Sequence, residues 1–158
     1  MKRPNPEYIR VLQPIINESP FFKLLSLNIV DIGIGFAIFE MTGQEKHLQP
    51  FAGVHGGNIA AMIDSATFWA AYFDVEPEDS GLTSVDLKLN FLSPVIAGNK
   101  MIANGKLVKI GRTVAYSTAE VTDAQGKIIA HGASTLMVLP NKGLSQFYSF
   151  PPKFIEGI

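Results

Sequence analysis

The stretch from Gly57 to Phe73 runs seventeen residues with a single charge and no polar face. Ile59, Ala60, Ala61, Met62, Ile63, Ala66, Phe68, Trp69, Ala70, Ala71 and Phe73 fall all round a helical wheel. A helix that is apolar on every side must be buried on most of them. At ~1.5 Å per residue it would be about 25 Å long, close to membrane thickness. Asp64 stands in its middle, where lipid would make a charge costly. The stretch therefore reads as the central helix of a globular core, with other elements wrapped round it. His55-Gly56-Gly57 opens it, bringing free N–H groups and close-approach backbone to a positive helix end. Asp64 follows two turns later among apolar neighbours and reads as a buried acid. A buried acid and an anion-friendly helix start on one element point to a site.

The 158 residues are enough for one domain with a sizeable core. Hydrophobic residues make up 47% and charged residues 17%, so part of the surface is expected to be hidden in an oligomer. The 13 basic and 14 acidic residues leave a net charge of −1, and no block of like charge marks a nucleic-acid surface. Cysteine is absent, which excludes disulfides, thiol catalysis and cysteine metal sites. The opening MKRPNPEYIR has no apolar signal core, so a cytoplasmic location is the expectation.

Asn5-Pro6 reads as an N-cap with proline in the first turn, and Tyr8, Val11, Leu12, Ile15 and Ile16 recur at helical spacing over residues 6–16. Residues 28–33 and 35–41 read as a hairpin turning near Gly33-Ile34-Gly35. A loop from Thr42 to Val54 feeds the central helix. Beyond the helix, Val85, Leu87, Leu89 and Phe91 alternate with Ser84, Asp86, Lys88 and Asn90, the period of a strand. Residues 99–110, 113–122 and 127–139 form three further strands joined by turns at Gly111-Arg112 and Asp123–Gly126, an antiparallel meander. The tail, 140–158, is rich in proline and aromatics and is expected to dock on the surface. The whole reads as a single α+β domain, a core over 20–139 with an N-terminal helix and a C-terminal tail. The open side of the helix needs cover, and a second copy of the chain would supply it.

This order, with His55-Gly56-Gly57 followed seven residues later by Asp64, resembles the hotdog-fold thioesterases. Within them the likeness is to the phenylacetate-pathway thioesterase-like branch. It covers roughly residues 20 to 139 and includes Pro20-Phe21, the His-Gly-Gly-x6-Asp string, Ser84-Val85-Asp86, Ser93-Pro94 and Gly111-Arg112. The resemblance implies an antiparallel sheet wrapped round one long helix, pairing into homodimers or dimers of dimers. It implies hydrolysis of an acyl-CoA thioester without metal or cofactor. One position departs from it: the branch carries Asn six residues before the His, where this chain has Gln49 followed by Pro50. Gln offers the same amide hydrogen bonds from a longer stem.

Thioester hydrolysis needs donors for a developing oxyanion and a base or nucleophile. The Gly56 N–H at the helix start suits the first, with Gln49 beside it. The alternative reading of Gly56 and Gly57 is close packing alone. Asp64 is the candidate base or nucleophile; as a purely structural acid it would be satisfied by Ser65, Thr67 or backbone. His55 is a candidate for positioning the loop or touching the substrate carbonyl, and Ser84 for holding a water or the acid. Gly57, Lys88, Lys109 and Arg112 are candidates for binding substrate, the three cations at coenzyme A phosphates. Phe68, Trp69, Phe91 and Tyr116 are candidate walls of an acyl tunnel, their faces unassigned. His47 and His131 receive no role. An enoyl-thioester hydratase would pair the Asp with a His five residues on, and that place holds Trp69. A noncatalytic acyl-CoA-binding protein on the same fold is the alternative from another class.

Overall fold

The computed structural model describes residues 1–157. The elements run β1 (Lys2–Pro4), α1 (Pro6–Asn17), α2 (Pro20–Leu25), β2 (Asn28–Gly33), β3 (Phe36–Thr42), α3 (Gly56–Ala70), β4 (Gly81–Phe91), β5 (Lys100–Ile110), β6 (Val114–Asp123), β7 (Ile128–Leu139) and β8 (Phe154–Glu156). Six strands form one antiparallel sheet in the order β2-β3-β5-β6-β7-β4, and α3 lies against β3, β5, β6 and β7. The sheet wrapped round one apolar helix that the sequence implied is therefore present. Met62, Ile63, Ala66 and Ala70 of α3 are fully buried together with Phe39, Met41, Met101, Ala103 and Val121 from the strands. Gly105 lets the helix come this close, because a Cβ there would run into the Ala66 carbonyl.

The hairpin, the meander and the N-terminal helix fall where the sequence put them. The Asn5 side chain caps α1 by accepting the Glu7 N–H at 3.0 Å, and Tyr8, Leu12 and Ile16 face the core while Val11 stays exposed. The central helix ends earlier than its apolar run. Past Ala70 the N–H groups of Ala71 and Tyr72 bond three residues back, to Phe68 and Trp69, so Phe73 lies in tightened turns rather than in the helix.

β4 departs from simple alternation. Ser84 pairs with Leu136 and Asp86 with Thr135, leaving Val85 as a bulge. Cross-strand partners share a face. Ser84 is thus on the helix side, opposite buried Leu136, and so are Leu87 opposite Ser134 and Leu89 opposite Gly132. β4 is also a sheet edge, with Val85 63% and Phe91 57% exposed.

The tail does more than rest on the surface. β8 pairs with β1, Phe150 stacks on Tyr8 at 4.5 Å, and Phe154 meets Phe73 edge-on. Phe147 and Tyr148 remain exposed. Lys153 is buried, its ammonium donating to the Tyr72 and Glu78 carbonyls at 2.7 and 3.0 Å and lying over the Tyr72 ring. Burial holds its pKa down at about 8.

Candidate active site

The start of α3 is built by two histidines. His47 is buried in a 3-10 turn over Glu45–His47; its Nδ1 accepts the Gln44 N–H at 2.9 Å and its Nε2 faces the Leu25 carbonyl at 2.7 Å. An accepting Nδ1 fixes the other nitrogen as the donor. The His47 carbonyl in turn accepts the His55 N–H at 2.7 Å, which ties the loop to the helix. His55 is the N-cap of α3, its Nδ1 accepting the Gly57 N–H at 2.8 Å. So the Gly57 amide is already taken, which corrects the expectation that it serves the substrate. No acceptor in the described residues takes the Gly56 N–H, as expected for the first residue of a helix.

Gln49 lines the same cleft as Gly56. Its Oε1 accepts the Phe51 N–H at 2.6 Å, which orients the side-chain amide and leaves the Nε2 hydrogens to donate. Gln49, Gly56, Ile59, Phe91, Pro94 and Val95 line a cleft of about 380 Å³. A Cβ on Gly56 would touch the Phe91 ring at 3.1 Å, so the glycine keeps the amide within reach of the cleft.

Asp64 lies elsewhere. It is two turns along the same helix, about 12 Å from Gly56. It is half-buried, less enclosed than its apolar neighbours implied. Its Oδ1 accepts from the Ser84 hydroxyl at 2.8 Å. Ser65 and Thr67, the alternative partners, donate instead to the carbonyls of Ala61, Ile63 and Asp64.

Four residues of the sequence reading thus form two pairs, Gln49 with Gly56 and Asp64 with Ser84. The cations do not join them. Lys88 pairs with Ala133 and Lys109 with Tyr116, placing both on the outer face of the sheet. A bulge at Val108 shifts the phase of β5 and turns Lys109 away from α3, while Lys88 alternates with the helix-facing Leu87 and Leu89. Arg112 is exposed in the turn between β5 and β6. The aromatic candidates also disperse: Phe91 borders the Gly56 cleft, Phe68 and Trp69 line a second cavity, and Tyr116 is on the outer face. The seat of Phe91 against Gly56 escaped the sequence reading, since nothing in alternation says what a strand residue meets.

Residues 51–130 match the family model described as the thioesterase superfamily. Human acyl-coenzyme A thioesterase 13 is 30% identical over 127 residues, covering 79% of this chain and 89% of that protein. Among solved structures, zebra fish thioesterase superfamily member 2 superposes with a TM-score of 0.72 at 26% identity, over 82% of this chain and 94% of that one. The E. coli PaaI protein from the phenylacetic acid degradation operon has a TM-score of 0.74 at 20% identity, over 83% and 92%, and shares the fold.

Proposed function

This chain belongs to the thioesterase superfamily and is a thioester hydrolase; we propose that its substrate is an acyl-CoA and that two chains build each site. The observation that carries the shared site is the separation of the two pairs on one helix. A carboxylate about 12 Å from the oxyanion donors cannot attack the carbonyl that they hold. Gly56 and Gln49 of one copy would face Asp64 and Ser84 of another, related by a two-fold axis, giving two equivalent sites. The exposed apolar edge at Val85, Leu87 and Phe91 supports β4 as the seam.

In this reading the Gly56 N–H and the Gln49 Nε2–H stabilise the oxyanion as water adds to the thioester carbon. Asp64 accepts the proton of that water, and Ser84 holds the carboxylate in place. The carbon–sulfur bond then breaks, and the coenzyme A sulfur leaves as the thiol with the proton that Asp64 took. Arg112 is the cation best placed to meet the nucleotide phosphates, since Lys88 and Lys109 face the other way.

Complementation tests the shared site. Folded Gln49→Ala and Asp64→Ala chains, each inactive, are unfolded together and refolded. A mixed dimer then holds one doubly damaged site and one intact site, so activity returns to the mixture. Chain exchange without recovered activity would place the whole site within a single chain.

A further inference from the structure

Both oxyanion donors hang from one buried ring that takes no part in the hydrolysis as derived so far. His47 is 1% exposed, and both of its ring nitrogens are engaged. Nδ1 accepts the Gln44 N–H at 2.9 Å, so the neutral ring donates from Nε2 to the Leu25 carbonyl at 2.7 Å. Leu25 ends α2, and α2 is seated in the core, where Phe22 stacks on fully buried Phe39 at 5.8 Å. The ring thus fixes residue 47 against the body of the domain.

Two paths lead from there to the cleft. The first follows the chain into a small hairpin, in which Leu48 pairs with Val54. The Gln49 N–H donates to the Gly53 carbonyl at 2.8 Å, and the Ala52 N–H closes the turn on the Gln49 carbonyl at 2.9 Å. Ala52 is held at a φ of 67°, a left-handed conformation unfavourable for any residue with a Cβ. Pro50, Phe51 and Ala52 are exposed, Phe51 at 93%, so nothing apolar anchors the turn itself. The far strand is tied to the cleft wall, the Val54 N–H donating to the Val95 carbonyl at 2.8 Å. The near strand, which carries Gln49, starts from His47 two residues before it. The second path runs through the His47 carbonyl, which accepts the His55 N–H at 2.7 Å and the Asn58 side chain at 3.1 Å. Those bonds set the first turn of α3 and with it the Gly56 amide.

An apolar side chain could fill the space of this imidazole. Apolar packing is non-directional, whereas two hydrogen bonds from one planar ring fix direction as well. Donors that stabilise an oxyanion must be held in place before the charge develops, so direction is what this loop needs.

Building on the hydrolase reading, we infer that His47 is a positioning residue for the reaction. It touches no substrate. It acts through Gln49 and Gly56, holding the two donors at the spacing that one oxyanion requires.

The test replaces His47 by Leu, which fills much of the space and removes both ring bonds, and by Asn and Gln. Asn keeps an acceptor near Nδ1, and Gln keeps a donor near Nε2. Each chain is assayed on an acyl-CoA that the wild type hydrolyses, with kcat expressed per folded chain from circular dichroism. Backbone amide exchange is followed on the same proteins. His47→Leu should lose about 10²-fold in kcat, the effect of misplacing a group by about 1 Å. KM should stay within about twofold, the split expected when only transition-state contact is lost. Protection of the Gln49 and His55 N–H groups should fall by about tenfold or more while that of β6 and β7 holds. The Asn and Gln variants should lie between Leu and wild type in both readouts. A ring that serves the fold alone would lower the melting temperature and leave kcat per folded chain unchanged. That result, or a loss carried by KM instead of kcat, would overturn the inference. Should His47→Leu not fold, the Asn and Gln chains decide, and full wild-type kcat in both rejects it. Should the wild type hydrolyse no thioester, the hydrolase reading fails on its own. Amide exchange then still reads the loop, and unchanged protection at Gln49 and His55 would show that the ring does not hold it.

Discussion

At the scale of the residue, the fold places a half-buried carboxylate beside one hydroxyl and leaves one helix-start amide open to a cleft. Replacing Asp64 by Asn keeps the size and the bond to Ser84 but removes the proton acceptor. We expect the folded Asp64→Asn protein to lose about 10²-fold or more in turnover, the usual scale for a general base. Near-normal rates would remove Asp64 from the chemistry. Asp64 and Gly56 were legible in the sequence because both lie on one helix, where spacing along the chain gives position in space. The outward turn of Lys109 was hidden for the opposite reason, while Lys88 lies on the other face from Leu87 and Leu89 as their alternation said. A bulge adds one residue without changing the hydrophobic pattern enough to show, and every side chain after it changes face. The role of His55 was only half visible: its place before the helix could be read, while its ring binding the Gly57 N–H could not.

At the scale of the element, two contacts between α3, the sheet and the tail yield measurable consequences. Gly105→Ala would push a methyl into the Ala66 carbonyl, a backbone atom with nowhere to go. We expect a loss of about 2–4 kcal/mol in chemical denaturation; an unchanged midpoint would mean that helix and sheet are less tightly apposed. Lys153 gives a pH effect. Its amine loses a proton near pH 8 in the folded chain but only near 10.5 once unfolded. Between those values the unfolded chain holds the extra proton, so raising the pH stabilises the fold; below 8 both states hold it and the penalty of burial is fully present. Tyr72 opposes this from about pH 10 upward, since burial raises its own pKa and the unfolded phenol ionises first. The clear window is therefore pH 8 to 10, where stability should rise by roughly 2 kcal/mol. In Lys153→Met that rise should vanish from thermal melts, and its persistence would assign it to another group. The neutral amine still has two hydrogens for the Tyr72 and Glu78 carbonyls, so the tail stays docked through the change. None of this could be read in advance. The strands that join the two chain ends are three residues each, too short to alternate, and a lysine in a proline-rich tail reads as surface.

At the scale of the whole molecule, the sheet ends at β4 with apolar side chains in water. The six-stranded sheet and its helix were legible because the period changes cleanly from helix to strand. Which strand forms the edge was not, since β4 reaches its place beside β7 across the meander, a pairing that no local pattern encodes. Charging that edge with Val85→Glu and Leu87→Glu should give a folded single chain by gel filtration and circular dichroism, with hydrolysis lost. An active dimer from the doubly substituted protein would mean that the seam lies elsewhere. Beyond pairing, the bulge at Val85 works on β4 as an inserted base works on a message. Ser84 is read in one frame, Leu87 and Leu89 in the other, and Val85 lets both come out facing the helix. Deleting Val85 would merge the frames, so that either Ser84 parts from Asp64 or the leucines turn to water. The strand can drift by substitution, letter by letter, but it has no tolerance for a change of count.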